Sequence, residues 1–134
     1  MSYWDTSALV KLYVQESDSP DFENLALMAP TEVITSRIAL YEARSTFRRK
    51  EAEAGLILGT ADKLYSALSD DVLAGDLRLV ELGPDVEREP PIPIRTLDAV
   101  HLVSAIVSNM NEVVVTDNRM RAAAALLGFK LFPV

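Results

Sequence analysis

Strand-sized apolar runs alternating with helical segments predict an α/β fold with a mainly parallel sheet covered by helices on both faces. Three observations carry this. Short apolar runs stand at residues 2–5, 32–36, 77–82, 112–116 and 129–134. Between them lie segments with helical spacing and helix-start or helix-stop residues, which imply right-handed crossovers. Finally, 134 residues that are 49% hydrophobic suit one compact domain, residues 1–134, able to bury a core without staples.

"SYWD" is a short strand ending at Asp5, and "TSALVKLYV" continues as a helix with Leu9, Leu12 and Tyr13 at helical spacing. In "DSPDFENLALMA", Ser19 as N-cap and Pro20 at the first helical position start the next helix. "EVITS" predicts a strand. From Ser36 a long helix presents an apolar face through Ile38, Tyr41 and Phe47, with Gly55 as its stop, and a further helix spans about Ile57 to Leu73. "LRLVEL" alternates with a β period, whereas "GPDVEREPPIPIR" predicts a loop, because its four prolines prevent a continuous helix or strand. "RTLDAVHLVSAIVSNM" predicts a buried helix, "EVVVT" a strand, "NRMRAAAALLG" a helix stopped by Gly128, and "FKLFPV" the last strand.

Composition excludes several function classes. With no cysteine, neither a disulfide framework nor a thiolate zinc site is possible, and a reducing cytoplasm is the expected compartment. The start "MSYWDTSALV" lacks the basic and long apolar stretches of a secretion signal, and no apolar run suits a membrane span. A net charge of −7 argues against sequence-independent nucleic-acid binding, although "RSTFRRK" is locally basic.

One carboxylate draws attention: from Leu97 to Met110 the only ionised side chain is Asp98. Asp5 and Asp117 fall where a strand hands over to a helix, the position at which open parallel sheets place ligands. Glu42, in "ALYEARS", borders an apolar face. Each has a purely structural reading. Asp98 suits the helix dipole behind a Thr96 cap, Asp5 and Asp117 suit N-caps, and Glu42 suits a surface pair with Arg44 or Arg48. Together, however, several neighbouring buried carboxylates repel one another and require a positive partner. Oxygen donors with His101 as the sole imidazole favour a hard ion, Mg²⁺ or Mn²⁺. His101, Tyr3 and Trp4 read as packing residues, and the arginines Arg44, Arg48 and Arg49 as a solvated face.

"DTSALVKLYVQE", the Glu of "LYEARSTFRR", "RTLDAVHLVSA" and "VVVTDNRMRAAAALLGFKL" together resemble the PIN-domain family, most closely its VapC-type toxin ribonucleases. The resemblance implies a three-layer α/β/α sandwich with a sheet of about five strands. It also implies a Mg²⁺- or Mn²⁺-dependent endoribonuclease whose acidic cluster maps onto Asp5, Glu42, Asp98 and Asp117. By the same resemblance, Thr6 and Ser7 help hold the first Asp or its metal-bound water. Arg95, which immediately precedes the Asp98 helix, is the expected substrate contact. An antitoxin tail laid in a groove around Leu12, Tyr13, Phe22 and Leu25, and a homodimer, are implied likewise. The chain departs from the family pattern where "DVEREPPIP" replaces a further helix.

Two other functions fit parts of this pattern. A phosphatase of the haloacid dehalogenase type requires Asp at both ends of a D-x-D, and Ser7 takes the second place here. A non-catalytic PIN-like interaction module would keep the fold without the ion.

Overall fold

A computed structural model of the chain describes residues 2–28, 33–87 and 96–134. The elements are β1 (Ser2–Trp4), α1 (Thr6–Val10), α2 (Ser19–Met28), β2 (Val33–Ser36), α3 (Ile38–Glu53), α4 (Thr60–Ala74), β3 (Leu77–Val80), α5 (Pro84–Glu87), α6 (Thr96–Val107), β4 (Glu112–Val114), α7 (Asn118–Leu126) and β5 (Lys130–Phe132). The strands form one five-stranded sheet, order β3-β2-β1-β4-β5, with every pairing parallel. This is the α/β architecture the alternating segments predict.

The chain lays down β1, β2 and β3 in one direction, then crosses back to place β4 and β5 on the other side of β1. The reversal lies between β1 and β4, where Tyr3 faces Val113 and Trp4 faces Val114. In an open parallel sheet, such a switch leaves a crevice beyond the carboxyl ends of its two strands, because their following helices diverge to opposite faces.

Strand alternation sets up a core on each face. Tyr3, Ile34, Val113 and Val115 point one way and pack with Leu102 and Ala105 of α6 and with Met120 and Ala124 of α7. Trp4 and Val114, each one residue along, point the other way against Ala8 and Phe22. Alongside them, Leu9, Ala39, Ala43, Phe47, Leu68 and Leu77 fill the space under α1, α3 and α4. Tyr3 and Trp4 are fully buried, as their reading as strand packing requires.

Several expected boundaries move. On α3 the buried stripe is Ala39, Ala43 and Phe47, while Tyr41 is 67% exposed. The i, i+4, i+8 alanine side is small enough to approach α1 and α4 closely, and that governs which face turns inward more than residue hydrophobicity does. α4 starts at Thr60 because Gly59 takes the left-handed conformation (φ 93°), leaving Ile57 and Leu58 exposed. α1 ends at Val10, and the chain continues to Tyr13 in tight turns whose N–H groups reach back three residues. Ser19 is the first residue of α2, its hydroxyl donating to Val14 O (3.0 Å) and accepting from Glu16 N (2.9 Å). Within the expected loop, residues 84–87 form one helical turn with Pro84 at its start, where a missing N–H costs nothing. Glu32, residues 88–94 of the proline loop, Arg95 and the Thr96 side chain lie outside the described residues.

Truncation separates the two faces of α3. Phe47→Ala empties a fully buried site and is expected to cost about 3–5 kcal/mol. Tyr41→Ala, on the exposed side, should change stability by no more than about 0.5 kcal/mol. Urea unfolding of both variants checks the assignment, and equal losses would restore the Tyr41 face to the core.

Candidate active site

Asp5 follows β1 at the switch point, where its backbone N–H donates to Val114 O of β4 (3.1 Å). Its side chain caps α1: Oδ1 accepts from Ala8 N (3.1 Å), and Oδ2 accepts from the Ser7 hydroxyl (2.7 Å). The residue is only 5% exposed. Burial pushes its carboxyl up to about 6, with the charge of Glu42 adding to the effect and the Ser7 and Ala8 hydrogen bonds opposing it.

Asp117 stands at the equivalent corner after β4 and caps α7, Oδ1 accepting from Met120 N (2.9 Å). A hydroxyl chain ties the two corners together. Thr116 donates to Ser7 Oγ (2.7 Å), and Ser7 donates to Asp5. Both expected N-caps are therefore real, and neither excludes a site. A carboxylate has about four acceptor positions, and one cap bond occupies one of them.

Glu42 reaches over from α3. Its Oε1 accepts from the Thr6 hydroxyl (2.8 Å) and from His101 Nε2 (2.6 Å). The alternative of a surface ion pair with Arg44 or Arg48 is replaced by this half-buried network, while Arg44 lies over the Tyr65 ring. His101 is 2% exposed and also bonds Tyr3 Oη through Nδ1 (2.6 Å), so it is a hydrogen-bonded interior residue, as expected. Thr6 serves Glu42 here, and Ser7 serves Asp5. Asp98, one helical turn before His101 on α6, is half-buried.

Asp5, Glu42, Asp98 and Asp117 all line a single cavity of about 370 Å³, together with Thr6, Ser7, His101 and Thr116. They do not form a closed cage: among the described residues, no three acidic or imidazole groups stand close enough to hold one ion. The expected convergence is thus a shared cleft rather than a point. Its all-oxygen donors fit a hard ion that keeps its waters and takes one or two carboxylates plus a phosphate. They do not fit a dedicated all-protein cage. The buried, destabilised Asp5 carboxylate is the feature such an ion would relieve.

The far wall is basic. Lys50 pairs with Glu16 (3.2 Å), and Lys11 pairs with Glu16 (3.4 Å) and Asp18 (3.0 Å). Arg49 also lines the cleft and makes no ion pair among the described residues. The arginine run reads from sequence as a solvated face, yet Arg49 lies seven residues, or two turns, after Glu42 and so shares its side of α3. Thr116, which directly precedes Asp117, also lines the cleft, and only the strand-to-helix corner it shares with Asp117 marks it in the sequence. Beyond the cleft, Leu12 and Tyr13 line a groove with Ala26 and Leu27. Phe22, expected there, is 2% exposed and packs edge-on against Trp4, so it belongs to the core.

The PIN domain family model matches residues 2–126. Ribonuclease VapC46 of Mycobacterium tuberculosis (strain ATCC 25618 / H37Rv) is 33% identical over 128 residues, spanning 94% of this chain and 92% of its own. The crystal structure of M. tuberculosis VapC20, described as a sarcin-ricin loop cleaving toxin, has a TM-score of 0.70 at 17% identity. It covers 92% of this chain and 95% of that one. VapBC2 from Rickettsia felis, bound to a DNA fragment from its promoter, has a TM-score of 0.61 at 17% identity, covering 98% and 97%. These structural likenesses show the fold.

The Asp5 environment has a consequence for stability. A carboxyl raised from 3.8 to about 6 favours the folded state only while protonated, so its penalty grows as pH rises through that window and is constant above it. In metal-free protein, Asp5→Asn keeps a capping oxygen and removes the charge. It should raise stability at pH 7 by about 3 kcal/mol, with the gain vanishing below about pH 4. Denaturation with chelator at pH 4 and pH 7 checks this, and a pH-independent difference would contradict it.

Proposed function

The chain belongs to the PIN-domain family, beside its VapC members, and on that premise we propose that it is an endoribonuclease using Mg²⁺ or Mn²⁺ to hydrolyse RNA phosphodiester bonds, as the toxin of a toxin–antitoxin pair. The observation that carries the reading is the opening of four carboxylates, from four separate segments, into one cleft at the sheet's switch point. VapC46 bears the name of a ribonuclease, and the Rickettsia felis relative is a VapBC complex.

Asp5, Glu42 and Asp98 are assigned as ligands, directly or through water, and Asp117 completes a second position or orients the attacking water. Bound among them, the ion supplies Lewis acidity toward the scissile phosphate. The protein's own residues do the rest. Ser7 keeps Asp5 Oδ2 oriented, Thr6 does the same for Glu42, and the core beneath the corner keeps bulk water from their backs. Arg49 faces the cleft as a phosphate contact, offsetting an acidic surface that would otherwise repel RNA. Arg95 stays assigned to substrate binding, and the 134 residues are assigned to a single domain.

An antitoxin segment that sets Arg or Lys among the carboxylates would relieve their repulsion and exclude the ion, with apolar residues in the groove at Leu12 and Tyr13. A cytoplasmic homodimer completes the proposal. Among the described residues, no helix is long and apolar enough to cross a membrane.

Cleavage of a mixed RNA pool tests the reading. Wild type should cut with Mn²⁺ and not with chelator, and Asp5→Asn or Asp98→Asn should lose roughly 100-fold or more in rate. Cutting that survives chelation, or full activity in either variant, would overturn it. Arg49→Ala should raise KM about three- to tenfold at unchanged kcat and flatten the salt dependence of binding. An unchanged KM would remove Arg49 from the substrate path.

A further inference from the structure

The chain's single histidine has no part in the chemistry above, yet it joins three elements of the cleft. His101 Nδ1 lies 2.6 Å from Tyr3 Oη of β1. Its Nε2 lies 2.6 Å from Glu42 Oε1 of α3 and 3.1 Å from Thr6 Oγ1 of α1. Thr6 Oγ1 donates to the same Glu42 oxygen at 2.8 Å.

Donor and acceptor chemistry sets the direction of these bonds. An ionised carboxylate only accepts, so the ring proton facing Glu42 sits on Nε2 whatever the state of the other nitrogen. Thr6 has one proton, and it points at Glu42. A phenol, with an ordinary pKa of about 10, keeps its proton at neutral pH, so the Tyr3 hydroxyl, 2.6 Å from Nδ1, is the donor of that bond. The order is Tyr3 O–H to His101 Nδ1, and His101 Nε2–H to Glu42 Oε1. Two donors from different elements therefore converge on one oxygen of a side chain with three rotatable bonds, whose free rotamers would otherwise be lost at the moment of binding.

We propose that His101 is a positioning residue of this cleft: its Nε2–H, held by Tyr3 and acting with Thr6, fixes the Glu42 carboxylate before a divalent cation arrives. The inference rests on the ribonuclease reading for what the cation is used for, but not for the hydrogen bonds themselves. Metal-ligating carboxylates are commonly oriented by such outer partners, whose loss costs 10–100-fold in affinity or activity. His101 also lies one turn after Asp98, so a single helix sets the height of both groups over the sheet.

The test compares His101→Gln, whose side-chain amide reaches the Nε2 position, with His101→Asn, which reaches only Nδ1. Mn²⁺ binding is measured by calorimetry on the full chain freed of any partner, beside thermal midpoints and RNA cleavage. Asn should weaken Mn²⁺ about 10- to 100-fold and lower kcat more than it raises KM, while Gln recovers most of the affinity at a similar midpoint. Equal affinities for wild type and a folded Asn variant would overturn the proposal. Should Asn fail to fold, the wild type still decides it. The lone imidazole gives an unambiguous ring-nitrogen NMR spectrum, expected to show the proton on Nε2 with Nδ1 bare. A bare Nε2 would overturn the proposal. Wild type that binds Mn²⁺ with the expected loss in the Asn variant but cuts no RNA would sink the ribonuclease reading and leave the positioning role standing, whereas wild type that binds no Mn²⁺ would overturn both.

Discussion

A carboxylate held out of water where the sheet reverses direction is the constraint from which the rest of this molecule follows. Asp5 stands at the end of the central strand, with β2 and β3 on one side and β4 and β5 on the other. Because the helices after β1 and β4 pack on opposite faces, the sheet itself creates a crevice between the two corners. Burial makes the Asp5 charge unfavourable there, and its hydrogen bonds from Ser7 and Ala8 offset only part of the cost. What remains is a local driving force for a positive ligand.

Capping a helix and facing the cleft coincide at the two corners, at Asp5 and at Asp117, rather than competing. The cap bond fixes the side-chain rotamer, so the feature that stabilises the helix start, by about 1 kcal/mol in typical cases, also aims the carboxylate. Substituting serine for either would preserve much of the helix while losing the charge, so helix stability alone does not require aspartate at both corners. The hydroxyl chain from Thr116 through Ser7 to Asp5 makes the corners one unit across the sheet's switch.

The polar interior is concentrated where the two cores meet. Tyr3 belongs by its ring to the α6–α7 core and by its hydroxyl to the His101 network, while Thr6 and Glu42 come from the opposite layer. Such buried networks are costly unless their members are satisfied, and when satisfied they specify one arrangement of the elements that carry them. The cleft's four acids thus inherit their placement from the apolar layers packed on the two faces of the sheet.

Much of this was legible along the chain. Five apolar runs and the intervening helical patterns determined an α/β fold with a parallel sheet, and Asp5 and Asp117 declared themselves because a strand-to-helix corner is a local feature. Caps and turns depend on residues within four positions of one another, so sequence alone could specify them. The inward face of α3 was not local. Ala39 and Ala43 turn inward because α1 and α4 come close, a fact about helices many residues away, and Tyr41 is left outside although it is the larger apolar group. Nor could any pattern reveal that His101, separated by 59 residues from Glu42 and 98 from Tyr3, would bridge them. The kinds of side chain available to the site were set by the sequence; which of them share a proton or a cavity was decided only when packing of the two layers brought distant segments within hydrogen-bond reach.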